Sequence, residues 1–239
     1  MQKETYKLSK RERKMVRKKG VQVDANTLRL IKPITRNQKR IFESYYTGKN
    51  IFIYGSAGTG KSFTAMYLGI KDILNDEYSK MMIVRSAVPS RDIGFLPGTM
   101  QEKMAEYEAP YNEICNKLFD RDDSYKILKN ERLVEFVPTS YLRGRTFDDC
   151  LILVDECQNL NWQELYTIMT RVGENCRLML CGDIRQSDLD TRKGYGDILK
   201  LIEVCKRMDQ FDFIEMGHDD IVRSNFPKQF IIHCEELNY

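Results

Sequence analysis

The sequence predicts an α/β fold: one domain built on a mostly parallel sheet, covered by helices on both faces. Three observations carry this. Short apolar β-type runs alternate with helical stretches from about residue 35 onward. Several of those runs end abruptly in glycine or carboxylate, at the strand end where open α/β sheets bind ligands. A chain of 239 residues is long enough for one such domain with a sizeable core and too short for two with linkers.

Taken in order, residues 1–33 read as an arm, charged to Gly20, mixed beyond it and closed by Pro33; residues 34–239 read as the folded domain. Residues 36–47 are a predicted helix, with Ile41, Phe42, Tyr45 and Tyr46 on one side and Gly48 as its stop signal. Residues 51–54 form an apolar strand leading into a glycine loop, and Lys61–Leu74 is helical. Residues 81–85 are strand-like. Residues 86–100 hold Pro89, Gly94, Pro97 and Gly98 and read as an irregular connection. Residues 101–119 have helical character, 133–137 and Cys150–Val154 read as strands, and 162–172 as a helix. A strand at 177–181, a helix at 195–205 and a strand at 211–215 follow. Residues 227–237 are a predicted helix with Pro227 at its start, where a missing N–H costs little.

Composition bounds the class. Hydrophobic content of 42% and charged content of 31% describe an ordinary soluble chain. Apolar runs such as 151–154 fall far short of the roughly 18–20 residues that span a membrane. With no signal-like N-terminal stretch, the expectation is a cytoplasmic protein without membrane contact. The seven cysteines form no CxxC pair and are expected as buried free thiols. His218 and His233 leave a His/Cys metal cage little to draw on. Net charge is +3, but residues 1–20 hold nine Lys/Arg against two Glu, leaving the rest slightly acidic. A basic arm on an acidic body suggests contact with a polyanion, with a solvated tail as the plain alternative.

Residues Gly55, Ser56, Ala57, Gly58, Thr59, Gly60, Lys61 and Ser62 fit GxxxxGK[ST] at every fixed position, between a strand and a helix. Glycines let the backbone wrap closely around phosphates, and the helix start at Lys61-Ser62-Phe63 turns unpaired N–H groups toward negative charge. Lys61 is expected to reach the β- and γ-phosphates of ATP, and the Ser62 hydroxyl to ligate Mg²⁺. The run Leu151-Ile152-Leu153-Val154 ends in Asp155-Glu156. Asp155 is placed to hold Mg²⁺, and Glu156 to orient or deprotonate an attacking water. The alternative is that this pair merely caps the helix near Trp162. Asn116-Lys117-Leu118-Phe119 lacks the Asp of a guanine reader. A third strand ends in Gly182-Asp183-Ile184-Arg185-Gln186, where Gln186 is a candidate γ-phosphate sensor and an ordinary turn is the alternative.

These residues resemble the PhoH-like family of P-loop ATPases, whose RecA-like domain is similar to the first motor domain of superfamily 1 helicases. The matching blocks are Thr35-x-x-Gln38, the glycine loop, Ile93-Gly94-Phe95-Leu96-Pro97-Gly98, Arg143-Gly144-Arg145-Thr146, Val154 through Asn159, Gly182-Asp183-x-x-Gln186 and Asp220-Ile221-Val222-Arg223. They run in the family's order from about residue 35 to 237. The resemblance implies an adenine-reading role for Gln38, a γ-phosphate sensor in Gln186 and a charge-stabilising arginine in Arg223. Arg143 and Arg145 are implied as contacts to nucleic acid or to a neighbouring subunit. Two positions depart from the pattern: Ser86 follows Arg85 where many members have proline, and Cys157 replaces alanine.

One motor domain where helicases have two implies that a neighbouring copy completes the site. The expectation is a homo-oligomeric ring, a hexamer by resemblance, with Arg223 acting across the interface. The expected activity is Mg²⁺-dependent ATP hydrolysis coupled to binding or movement along RNA or single-stranded DNA. An ATP-dependent switch acting on a protein partner is the competing class, and a P-loop kinase a third.

Overall fold

The computed structural model describes residues 23–86, 100–142, 144–183 and 194–237. Six strands form one sheet: β1 (Asn50–Gly55), β2 (Lys80–Arg85), β3 (Val134–Pro138), β4 (Cys150–Val154), β5 (Arg177–Gly182) and β6 (Phe211–Met216). Their spatial order is β3-β2-β4-β5-β1-β6, and every pairing is parallel. Seven α-helices are described: α1 (Arg36–Tyr46), α2 (Lys61–Leu74), α3 (Met100–Phe119), α4 (Ser124–Asn130), α5 (Trp162–Met169), α6 (Gly194–Lys206) and α7 (Asn225–Glu236). Among the described residues no helix is long and apolar enough to cross a membrane.

A parallel sheet buries both faces, so its central strands are apolar throughout rather than alternating. In β4, Leu151 and Leu153 join the core under α1 to α4, while Ile152 and Val154 join the core under α5 and α6. Each such buried side chain contributes roughly 1.5–3 kcal/mol. β4 and β5 are buried along their whole length and form the rigid centre.

The order of strands positions the site. The glycine loop follows β1 and the Asp155-Glu156 pair follows β4, with only β5 between them. Register aligns Tyr54 with Gly182, and Val154 with Leu180. At about 4.8 Å per strand, three chain segments remote in sequence end side by side.

Local chemistry sets the helix ends. The Thr35 side chain accepts from the Gln38 N–H to start α1. Gly48, at φ 91°, follows its end, and its N–H donates to Tyr45 O. The buried Arg177 guanidinium closes that end: it donates to the carbonyls of Tyr45 and Lys49 and lies 4.0 Å over the Tyr45 ring. Cations suit helix C-termini.

Four features differ from the sequence expectation. α4 was not anticipated; seven residues hold too few turns for a periodic signal. α5 ends at Met169 rather than 172, where the Thr170 hydroxyl bonds back to the carbonyls of Tyr166 and Thr167. α7 starts at Asn225, so Pro227 is its third residue, still within the turn whose N–H groups have no helical partner. Finally, the described end of the arm belongs to the packed body. Val23 is fully buried, Leu28 and Ile31 pack on the core, and the Arg29 N–H donates to Leu118 O at 2.8 Å.

Candidate nucleotide-binding site

At the C-terminal ends of β1, β4 and β5 lies a cleft of about 780 Å³, a size typical of small-molecule sites. Its lining includes Gln38, Ala57 to Thr64, Asp155, Glu156, Gly182 and Arg223.

The loop is shaped by its glycines. Gly55 (φ 120°) ends β1, and a Cβ there would sit 2.0 Å from Met216 O on β6, so only glycine fits. Gly58 and Gly60 also have positive φ, and Gly60 precedes α2 without a side chain to cap it. The Gly58 carbonyl accepts from the Val222 N–H at 3.1 Å, and the Thr59 carbonyl from Gln38 Nε2 at 3.1 Å. A trans peptide sets N–H opposite C=O, so the N–H groups of Thr59 and Gly60 point away from those partners. Together with the start of α2 they make a cradle for phosphate. Lys61 Nζ donates to the carbonyls of Gly55 and Ser56 at 2.6 and 2.8 Å, which holds its ammonium at the loop. The Ser56 hydroxyl donates to Glu235 on α7, and that carboxylate also bonds His218.

The Ser62 hydroxyl donates to Asp155 Oδ1 at 2.7 Å, bridging α2 and the end of β4. Burial pushes the Asp155 carboxyl above its usual range, reinforced by Glu156; the hydrogen bonds from Ser62 and Tyr111 and the charge of Arg85 oppose this. A hydroxyl and a buried carboxylate in contact are a donor set that suits Mg²⁺ beside a triphosphate. The residues therefore fit magnesium with a nucleotide.

Glu156 is half-buried and takes φ 51°, a left-handed conformation that a non-glycine residue adopts at a cost. Its Oε2 accepts from Gln158 Nε2 at 2.6 Å, and Gln158 Oε1 accepts from the Asp183 N–H at 3.0 Å. Gln158 thereby joins Glu156 to the end of β5. A Cβ on Gly182 would meet Cys157 Sγ at 2.7 Å and Gln158 Oε1 at 2.8 Å, so this bridge needs glycine there and a small side chain at 157. α5 has its own cap, Asn161 with Glu164, so Asp155-Glu156 does not serve that helix.

Gln38 is buried, and both ends of its amide are engaged, Nε2 with Thr59 O and Oε1 with the Ile34 N–H. In this arrangement it ties the chain entering α1 to the glycine loop. Leu30, Ile31 and Ile34 line the adjoining end of the cleft and Phe63 its wall. Arg223 lies over the glycine loop of its own chain: its Cγ is 2.8 Å from where a Cβ on Gly58 would stand. Arg145 does not line the cleft. It pairs with Glu135 on β3 at 2.8 Å and rests over the Phe147 ring. Arg143, Gln186, the Ile93 to Gly98 block and the basic stretch 1–20 lie outside the described residues.

Three participants escaped the sequence reading: Gln158 in its bridging role, Arg85 and Tyr111. Tyr111, on α3, is fully buried, and its hydroxyl donates to Asp155 Oδ2 at 2.9 Å. Arg85, ending β2, hydrogen-bonds Tyr111; guanidinium only donates, so the phenol relays between cation and carboxylate. Burial and the neighbouring Asp155 raise the Tyr111 pKa well above its ordinary value, keeping it a donor. Tyr111 is a positioning residue for Asp155. Tyr111→Phe should raise the Mg²⁺ concentration for half-maximal activity by about 10- to 150-fold, one lost hydrogen bond to a charged group. An unchanged Mg²⁺ titration in a folded variant removes that role.

A glycine loop opening a helix, facing a buried carboxylate across one strand of a parallel sheet, defines a P-loop nucleotide-binding protein. The family model described as PhoH-like protein matches residues 30–235. The chain belongs to the PhoH-like family. The PhoH-like protein of Mycobacterium tuberculosis H37Rv is 29% identical over 202 residues, covering 84% of this chain and 57% of that protein. That of Bacillus subtilis 168 is 28% identical over 252 residues, covering 92% and 78%. Protein PhoH of Escherichia coli K12 is 31% identical over 178 residues, covering 73% and 49%. The chain thus spans little more than half the length of the mycobacterial relatives. Among solved structures, Pif1 helicase from Candida albicans aligns with a TM-score of 0.41 at 15% identity, over 88% of this chain and 44% of that one. Bacteroides Pif1 bound to ssDNA aligns at 0.43 and 20%, over 88% and 46%.

Proposed function

We infer that the chain is a Mg²⁺-dependent ATPase that couples hydrolysis to binding or movement along RNA or single-stranded DNA. The observation that carries the hydrolytic part is the Ser62–Asp155 contact at 2.7 Å with Glu156 beside it. A cation at Ser62 and Asp155 would neutralise charge on the phosphates. Lys61 binds the β- and γ-phosphates, the N–H groups of the loop and of α2 orient them, and Glu156 holds the water. Gln38 braces the loop next to the base. Gln186, just beyond Gly182 and Asp183 of the cleft, fits the sensing of the γ-phosphate.

The nucleic-acid part rests on the basic arm and on the order of motifs. The proposal includes a homo-oligomeric ring, hexameric by family pattern, in which the next copy closes the open side of the cleft. Arg143 and Arg145 are its proposed contacts to strand or neighbour. Arg223, already over its own glycine loop, favours stabilising transition-state charge within its own chain.

The test is ATP turnover with and without a homopolymeric single strand. A several-fold rise that fades with salt is expected. No response at any salt concentration would sink the motor and leave the ATP-dependent switch. In the same assay, mixed rings of Arg223→Ala and Lys61→Ala chains should stay inactive; recovery would assign the arginine to the neighbouring copy.

A further inference from the structure

The edge of the sheet opposite the cleft holds a pair of sulfurs that the nucleotide chemistry does not use. Cys150 is the first residue of β4, and Cys176 immediately precedes β5. Leu151 pairs with Arg177, so the two cysteines face each other one step below the ladder. Their Sγ atoms are 3.5 Å apart. Neighbouring strands run about 4.8 Å apart, inside the roughly 4.4–6.8 Å between Cα atoms that a disulfide spans. An approach of about 1.5 Å by the sulfurs therefore suffices, without moving the strands.

The turns entering both strands are stitched together, which holds the pair in place. Asp149 and Asn175, at φ 53° and 51°, are joined by Asn175 Nδ2 donating to Asp149 Oδ1 at 2.6 Å. The Glu174 N–H donates to Asp148 Oδ1 and the Asp149 N–H to Glu174 O, both at 2.9 Å. The two thiols are unequal. Cys150 is buried, whereas Cys176 is partly exposed and meets solvent first. The hydrogen bond from Cys150 also draws the Cys176 thiol down, to about 7, while Cys150 is pushed up.

We propose that Cys150 and Cys176 are a dithiol modification site that a small-molecule disulfide, such as oxidised glutathione, converts into an intramolecular disulfide. The Cys176 thiolate attacks one glutathione sulfur; a mixed disulfide forms and one glutathione thiolate leaves. Cys150 then loses its proton and attacks the Cys176 sulfur, expelling the second glutathione. Two protein thiols are oxidised, one glutathione disulfide is reduced, and the two thiol protons end on the two glutathiones. The link would lie about 16 Å from Asp155, five strand residues away, so it pins the two strands without blocking the cleft.

The experiment equilibrates the folded, full chain with oxidised and reduced glutathione, blocks remaining thiols and maps tryptic peptides without reductant. The expected result is loss of two of the seven thiols, no retained glutathione and a link between peptides 146–171 and 172–177. Fragmentation should place that link on Cys150 and not on Cys157. Cys176→Ser should slow loss of the Cys150 thiol at least about tenfold. Wild-type protein that keeps all seven thiols, that retains glutathione stably on Cys176, or that links other cysteines overturns the proposal.

Discussion

Glu156→Gln should bind ATP about as well as the wild type and lose about 10²–10⁴ of its hydrolysis rate, the usual contribution of a positioned general base. The substitution isolates the chemistry. Glu156 Oε2 accepts from Gln158 Nε2 at 2.6 Å, and a carboxamide oxygen accepts the same bond. The left-handed backbone at 156 and the link to Asp183 therefore stay in place. What is lost is the second carboxylate oxygen, replaced by a donor that cannot take a proton from water. Equilibrium binding of a fluorescent ATP analogue and single-turnover phosphate release separate the two effects. Wild-type turnover in a variant that binds normally would show that Glu156 does not handle the water.

Lys61→Ala should lower ATP affinity by at least about a hundredfold, since charge-assisted hydrogen bonds each contribute roughly 1.5–3 kcal/mol. The ammonium is held beside the phosphate cradle by the carbonyls of Gly55 and Ser56. Without it, those carbonyls turn partial negative charge toward an anionic ligand with nothing between. The Asp155 side should persist, because Ser62 and Tyr111 hold that carboxylate independently of Lys61. Calorimetry with ATP and Mg²⁺ reads the loss directly. Affinity within threefold of wild type would mean that the cradle grips phosphate without the lysine, and the assigned role fails.

The parts legible in the sequence are those whose signal is local. Lys61–Leu74 and Cys150–Val154 have the bounds their patterns predicted, because a glycine loop and a carboxylate pair mark their ends. The all-parallel sheet follows from alternation of strand and helix. Tyr111 was not legible as a site residue. It sits in a helix whose pattern reads as ordinary core, and only the packing of α3 brings its hydroxyl to Asp155. Gln158 was visible as part of a motif, but its bridge depends on β5 lying beside β4. Leu28 and Ile31 lie in the stretch that reads as an arm, because nothing local marks what they pack on; they join the core, and the Arg29 N–H between them donates to Leu118 O on α3, some ninety residues away.

β5 stands between the strands that deliver the hydroxyl of Ser62 and the carboxylate of Asp155. The gap between these two groups is therefore gauged by main-chain pairing, which has the same pitch whatever side chains it carries. Ninety-three positions separate them along the chain, yet the intervening polypeptide does not set their separation. Apart from β2 and the Arg85 and Tyr111 that steady the carboxylate, its connecting loops can differ in length like luggage hung from a frame, while the grip keeps its calibre.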